Sequence, residues 1–399
     1  MNKLRAIAVN TFHQTVRQPI YAVIILTMLG AFVMAPPLTG WTLDDDNKLL
    51  RDIGLSTLLM QGLFLAAFSA SAVLSQEIDQ KTVLTTVSKP LPRGLFILGK
   101  ALGVFAAAAV AHLIATIALL MTVRHGVLQT ASDSSDPTVL VLGPGVVLLM
   151  LVAAAVLNYL FDWKYLPTAV GLIAPALVIS MTILFFIDRD WTVSRYRTVQ
   201  ENVRLPAEIL PLDKLAGIVE FESYDQQPPR PGVDGRLVRH NWKGPITDEE
   251  RTQLRDLSPD ESWHQRIDWL VVESRKITTP DLLKASFLVF LAVLILCAVA
   301  LAASTRLAIV PTLLLCVVAL CAGLVTDHFL QPLDVAGALW AKVAYRVLPN
   351  FQLLWMIDAL SDDRVIPWSY VAGVAGYTAA QLAALVALAA ALFETREVG

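Results

Sequence analysis

The stretch "GLFILGKALGVFAAAAVAHLIATIALLMT", residues 94–122, decides the fold. Its only ionisable side chains are Lys100 and His112, and the rest is dominated by alanine, leucine and other apolar residues. A helix needs about 20 mostly apolar residues to cross the hydrocarbon core of a bilayer. The stretch is long enough for this, so it predicts a helix that spans a membrane.

Similar apolar stretches recur along the whole chain of 399 residues. The mean hydropathy is +0.60 and 16% of the residues are charged, whereas a soluble domain has about 25%. The predicted spans are 20–38, 55–75, 94–122, 138–160, 166–187, 282–303, 306–326 and 367–392. The sequence therefore predicts an all-α polytopic membrane protein with about eight transmembrane helices.

The distribution of lysine and arginine predicts the orientation of these spans. Cations near the ends of short loops favour the cytoplasmic side. With eight spans, one side carries Lys3, Arg5, Arg17, Lys81, Lys89, Arg93, Lys100, Arg306 and Arg396. The other side carries Lys342, Arg346 and Arg364, which weaken the bias without reversing it. We expect a multi-pass protein of the bacterial inner membrane, with both termini in the cytoplasm.

Residues 189–280 differ from the rest of the chain. They hold 14 of the 31 lysines and arginines and 16 of the 34 acidic residues. They lie between the fifth and the sixth predicted span, on the side opposite the cytoplasmic cations. The segment therefore predicts a small α+β insert domain outside the cytoplasm. Strands are predicted at "GIVEFESY" (217–224) and "GRLVRHNW" (235–242), and a helix at "DESWHQRIDWLVVESRK" (260–276).

Three further parts complete the predicted organisation. Residues 1–19 predict an amphipathic helix that lies in the membrane interface or against a neighbouring span. Spans one to five occupy 20–187, and spans six to eight occupy 282–393. Within the latter, charge and proline break 327–366 into an outer amphipathic stretch, where short helices are expected at the membrane surface.

The segment "PRGLFILGKALG", residues 92–103, is one residue away from a phosphate-binding loop. Gly94, Gly99 and Lys100 fit the pattern G-x-x-x-x-G-K-[ST], but Ala101 lacks the hydroxyl that would bind Mg²⁺. The following residues also run directly into an apolar helix. We therefore predict no nucleotide site and no cofactor on this chain. Gly94, Gly99 and Lys100 are interpreted instead as the point where the chain re-enters the membrane.

The preceding loop, "QEIDQKTVLTTVSKPLPR" at 76–93, has a short amphipathic pattern. Val83, Leu84 and Val87 share one apolar face, and Pro90 and Pro92 stop the helix. Periodicity alone leaves two interpretations open. One is a solvated cytoplasmic loop, and the other is a helix held parallel to the membrane.

This loop resembles the intracellular loop of type-2 ABC exporter permeases. The residues that match the family pattern are Glu77, Thr82, Pro90, Arg93, Gly99 and Lys100. Lys81 stands where the family usually has glycine. The segments "LPNFQLLWMIDAL" (348–360) and "LFETRE" (392–397) also resemble the family's C-terminal end. Within the family, the chain looks closest to permeases of the multicopper-enzyme-maturation group.

The resemblance implies a function and a set of partners. Such a permease is not an enzyme; ATP and Mg²⁺ bind a separate ATP-binding cassette subunit, and two permease subunits pair in the bilayer. The helix in the loop would be the coupling helix that contacts the ATPase. Its contact residues would be Glu77, Asp79, Lys81, Thr82, Leu84, Val87, Pro90 and Arg93.

His112 is the one ionisable residue predicted to lie deep in a span. A buried histidine is a candidate functional site by default, but it has no carboxylate partner at that depth, which favours a hydrogen bond between helices. No metal-binding spacing occurs among the histidines. Two other functions remain open: a secondary transporter, and a non-transport assembly or sensor protein that acts through the insert.

Overall fold

The structure of the chain is a computed structural model. The described residues are 2–39, 46–79, 92–127, 135–187, 191, 193, 201–205, 217–224, 237–242, 267–274, 278–329, 339–340, 345, 348–361 and 366–395. Only the backbone is described in the four strands and at residues 2, 46–47, 74–79, 278–279, 358 and 361.

The described residues form ten helices and four strands. The helices are α1 (Asn2–Val16), α2 (Pro19–Thr39), α3 (Asp46–Asp79), α4 (Arg93–His125), α5 (Pro137–Phe161), α6 (Tyr165–Leu184), α7 (Thr278–Ser304), α8 (Ile309–Leu324), α9 (Ile357–Ser361) and α10 (Trp368–Glu394). The strands are β1 (Glu201–Leu205), β2 (Gly217–Tyr224), β3 (Leu237–Trp242) and β4 (Ile267–Ser274).

Seven of these helices are long and apolar enough to cross a membrane: α2 to α7 and α10. This confirms the prediction of an α-helical membrane protein. The predicted seventh span, 306–326, corresponds to α8, which has only 16 residues. Helix α8 is shorter than the other seven helices because Arg306 and Leu307 lie in the turn before it.

Contacts between the helices show which of them are parallel and which are antiparallel. Tyr21 at the start of α2 donates a hydrogen bond to the carbonyl of Ala107 in α4, and Thr122 Oγ1 near the end of α4 lies 3.5 Å from the Phe32 carbonyl. Thus α2 and α4 are parallel. Arg93 at the start of α4 contacts Glu394 at the end of α10, so those two helices are antiparallel. We call the two ends of the bundle the Arg93 end and the Arg124 end.

The core of the bundle lies between α3, α4 and α7, which are its most buried helices. Close approach is possible because small residues face the neighbouring helix. A Cβ atom on Gly62 of α3 would stand 2.0 Å from the Val293 side chain of α7. By contrast, α5 and α10 leave most of their surface exposed, as expected for helices that face lipid or another protein.

The N-terminal helix α1 packs along the start of α4. Ile7 lies against Gly99, where an added Cβ would come within 2.6 Å of its side chain. One turn further, a Cβ on Gly103 would stand 2.6 Å from the carbonyl oxygen of Ala8. Of the two positions predicted for this helix, the structure shows the one against a neighbouring span.

The boundaries of the first helices differ from the sequence-based expectation, beginning with α3, which starts at Asp46 although the predicted second span starts at residue 55. The helix of the second span continues unbroken to Asp79, although we expected it to end near Ser75, because no proline or glycine interrupts this segment. The N-terminal helix ends at Val16, and Pro19 is the first residue of α2. Proline fits there because the first N–H groups of a helix have no partner within it.

The four strands pair in antiparallel fashion in the order β1-β4-β2-β3. Strands β2 and β3 lie in the two segments where the sequence predicts strands. The helix predicted at 260–276 is wrong for Ile267–Ser274, which is β4. This segment contains isoleucine, tryptophan and two valines, which favour a strand when partner strands are available on both sides. Most of 189–280 lies outside the described residues, so the insert domain stays a prediction.

The described parts of 327–366 contain short helical turns, including α9 and a 3₁₀ turn at Gln352–Leu354. Asp327 connects two other residues of this stretch. Its carboxylate accepts hydrogen bonds from Tyr345 Oη at 2.9 Å and from Asn350 Nδ2 at 2.6 Å. Phe351 packs closely on Gly323 at the end of α8. This stretch is thus attached to α8.

Candidate functional site

The predicted coupling loop is only partly described. Glu77 and Asp79 belong to the last turns of α3, where the backbone alone is described. The other predicted contact residues before Arg93 lie outside the described residues: Lys81, Thr82, Leu84, Val87 and Pro90. Arg93 is described and begins α4.

Arg93 and Arg306 both bind the last turn of α10. Arg93 Nη1 donates to the carbonyl oxygen of Glu394 at 2.7 Å. Arg306, in the turn between α7 and α8, donates through Nη2 to the Leu392 carbonyl at 3.0 Å and to Thr395 Oγ1 at 2.6 Å. The last carbonyls of a helix lack partners within it and carry partial negative charge, so cations stabilise this end.

Lys100 lies inside the bundle. It is only 2% exposed, its Nζ atom is 3.4 Å from Gln14 Oε1 of α1, and it stands 5.4 Å from the centre of the Phe96 ring. We expected a lysine at the membrane re-entry point, where it would meet water. It is buried instead because α1 covers this face of α4.

The two predicted re-entry glycines have different surroundings. Nothing lies within 4 Å of a Cβ built on Gly94, so this position has open space. Gly99 lies directly under Ile7 and has no room for a side chain. Gly99 therefore serves the packing of α1 on α4, a contact that the sequence pattern alone does not reveal.

His112 joins α4 to α7 in the middle of the bundle. Its Nε2 atom lies 2.9 Å from the carbonyl oxygen of Ser286 and 3.1 Å from Ser286 Oγ. Thr116 Oγ1 is 2.7 Å from the same hydroxyl. The geometry is that of a hydrogen bond between two helices, as the sequence favours for this residue.

We expect His112→Ala to have a modest effect on stability. Hydrogen bonds between membrane helices contribute on average about 0.6 and at most about 1.7 kcal/mol. The Ser286 hydroxyl keeps Thr116 as a partner, so the loss should stay in this range. The measurement is the free energy of unfolding in an SDS titration, with Thr182→Ala on the exposed face of α6 as control. A loss above about 3 kcal/mol would show that His112 stabilises the fold by more than this hydrogen bond.

Arg124 holds three helices together at the opposite end of the bundle. Its guanidinium donates to the carbonyls of Leu184 and Ile187 at the end of α6, and lies 3.4 Å from a carboxylate oxygen of Asp136. Asp136 also caps α5, accepting from the backbone N–H groups of Thr138 and Val139. Both charged side chains are buried.

Asp281 and Lys284 form a second buried ion pair at this end. Lys284 Nζ lies 2.8 Å from Asp281 Oδ1 and donates to the carbonyl of Ile366, also at 2.8 Å. The backbone N–H of Ile366 donates to the same Asp281 oxygen. The pair therefore fixes Ile366, two residues before α10, to the start of α7.

Both ion pairs were missed from the sequence. A signal for the first was available, because aspartate followed by proline, as at Asp136 and Pro137, is typical of a helix start. Nothing in the sequence indicates that Arg124 would meet this cap. The ion pair of Asp281 and Lys284 has an i, i+3 spacing, but the contact with Ile366 bridges 82 positions.

Comparison with protein-family models, curated proteins and solved structures finds no match to the chain. Among the residues that the structure describes, no group of three or more His, Cys, Asp or Glu side chains could hold a metal ion. A functional conclusion therefore rests on the residues themselves and on the contacts they make.

Proposed function

We propose that the chain is the membrane-spanning permease subunit of an ATP-driven exporter of the type-2 ABC class. A separate ATP-binding cassette subunit would bind ATP and Mg²⁺ and dock on the loop at 76–93. Two permease subunits would pair in the bilayer. The observation that carries the proposal is the order Glu77, Thr82, Pro90, Arg93 at the point where α3 gives way to α4.

The arrangement of charges supports an energy source outside the chain. A proton- or sodium-coupled transporter needs charged residues near the middle of the bilayer. Apart from His112, the buried charged side chains among the described residues lie within about two turns of a helix end. They are Arg51, Lys100, Arg124, Asp136, Asp281 and Lys284. His112 is deeper, and its ring nitrogen bonds Ser286.

An eighth span is proposed at α8. The turn before α8 contacts the end of α10, at the Arg93 end. Further along the chain, Ile366 contacts Asp281 at the Arg124 end. The chain must therefore pass from one end to the other between these residues. At about 1.5 Å per residue, the 16 residues of α8 extend about 24 Å, close to the hydrocarbon thickness of about 30 Å.

The proposed orientation places the Arg93 end in the cytoplasm and the α+β insert of 189–280 outside it. All the segments with the predicted cytoplasmic cations lead into the Arg93 end. A cysteine at Ser223, in a variant without the three native cysteines, should react with an impermeant maleimide in intact cells. Reaction only after the cells are opened would invert this orientation.

The test of the proposed function is binding and stimulation of the ATP-binding subunit. We expect Glu77→Lys combined with Arg93→Glu to weaken the complex at least about tenfold and to abolish stimulated ATPase activity, because charge pairs in an interface are sensitive to reversal. The measurement is co-purification and ATP hydrolysis with the full chain in lipid nanodiscs.

The matched control reverses two exposed charges in another turn at the same end, Asp162→Lys with Lys164→Glu. This variant should bind and stimulate like the natural chain. If the variant with both loop charges reversed bound equally well, the coupling assignment would fail. If no ATP-binding subunit co-purified with the natural chain, the alternative of an assembly or sensor protein acting through 189–280 would be favoured.

A further inference from the structure

The last turn of α10 is held from two sides at the Arg93 end. Arg93, the last residue of the predicted coupling loop and the first residue of α4, reaches the Glu394 carbonyl. Arg306 reaches the Leu392 carbonyl and the Thr395 hydroxyl from the turn after α7. We call these two arginines and the carbonyls that they bind the C-terminal clamp.

An aromatic contact lies beside this clamp. The rings of Phe96 in α4 and Phe393 in α10 stack with their centres 5.7 Å apart and their planes at 25°. Both rings are buried. Lys100 Nζ lies 5.4 Å from the centre of the Phe96 ring and 3.4 Å from Gln14 Oε1 of α1. The start of α4 is thus packed on α10 through a stacked pair and hydrogen-bonded to it through Arg93.

Packed elements of this kind move as bodies, because interdigitated side chains shift between discrete arrangements and do not deform continuously. A displacement of the first turn of α4 must carry Phe96 and Arg93 with it. Because Phe96 stacks on Phe393 and Arg93 binds the Glu394 carbonyl, the end of α10 follows. Arg306 then links this movement to the turn between α7 and α8.

We propose that the C-terminal clamp carries the motion of the coupling loop directly into α10, with Arg306 and Phe393 as positioning residues of the coupling mechanism. The inference rests on the proposed function, since it assumes that an ATPase moves the loop. It goes beyond that function because neither residue belongs to the loop. It also names α10, the helix farthest from the loop in sequence, as one that responds to the loop.

The test is hydrogen exchange of the full chain bound to its ATP-binding subunit in nanodiscs, measured without nucleotide and with MgATP plus vanadate. Two peptides are followed: residues 76–92 of the loop and residues 388–395 of α10. In the natural chain both should change their exchange rate on addition of nucleotide. In Arg306→Gln/Phe393→Leu, which leaves every predicted contact residue of the loop unchanged, the loop should still respond, while the response of α10 should disappear.

Conservative and control variants separate coupling from stability. Without nucleotide, the double variant should raise exchange in 388–395 about threefold, because the last turn of α10 loses a cation at its C-terminal end and the stacked ring of residue 393. The single variant Arg306→Lys keeps a cationic donor at this position. The α10 peptide should therefore retain its response to nucleotide. Lys164→Gln changes an exposed cation at the same end and should alter neither peptide.

The outcomes distinguish the two proposals. If the loop responds but 388–395 responds equally in the natural chain and in the double variant, the clamp does not transmit motion. If the loop responds and 388–395 does not respond in the natural chain, α10 is not coupled to it. If the loop itself does not respond, the proposed function fails, and the inference fails with it.

Discussion

Arg124→Met should lower the free energy of unfolding by about 3–5 kcal/mol, which is the usual loss when one partner of a buried ion pair is removed. The Asp136 carboxylate, which is 1% exposed in the natural chain, would lose its ion pair with Arg124. The carbonyls of Leu184 and Ile187 would lose their donor as well. The measurement is an SDS titration in mixed micelles.

A second variant identifies the cause of this loss. In Arg124→Met/Asp136→Ser neither position carries a charge, and serine can still cap α5. We expect this double variant to be more stable than Arg124→Met alone. Arg5→Met, at an exposed position of α1, is the matched control and should change stability by less than about 0.5 kcal/mol. If Arg124→Met behaved like this control, the ion pair would not stabilise the fold.

The positions of the helices follow from the sequence because hydropathy and length are local properties. Each long apolar helix of the structure overlaps a predicted span. The charge bias also predicts that Arg93 and Arg306 lie on one side, and both bind the same end of α10. Helix ends were harder to place, as the continuation of α3 to Asp79 shows.

The contacts between helices could not be predicted in this way. Hydropathy gives each helix a place along the chain but does not say which neighbour it meets or which face it turns there. Arg124 and Ile187 are 63 positions apart, and Lys100 is buried only because α1 folds back over α4. Its position near a predicted helix start therefore places Lys100 at the membrane surface, whereas in the structure α1 covers and buries it.

Strand β4 shows the same limitation in the hydrophilic insert. The segment Ile267–Ser274 has apolar residues at spacings that suit one face of a helix. It also contains residues that favour strands, and the choice depends on whether β1 and β2 are present to pair with it. Pairing between segments so far apart is not visible in a local pattern.

Lys284→Met should also lower the free energy of unfolding by about 3–5 kcal/mol. It would leave the Asp281 carboxylate buried, with the N–H of Ile366 as its described hydrogen-bond donor. The Ile366 carbonyl would lose the Lys284 ammonium. Because the Ile366 N–H donates to the Asp281 carboxylate two residues before α10 begins, we also expect faster hydrogen exchange in a peptide that contains this residue.

Asp281→Asn in the same background tests whether the buried charge causes the loss. The amide oxygen of asparagine can still accept from the Ile366 N–H, but it carries no charge. The double variant should therefore recover part of the stability and slow the exchange at Ile366 again. If it were as unstable as Lys284→Met alone, the loss would come from the missing Lys284 contacts with Ile366 and Trp368, and the ion pair would have no net stabilising effect.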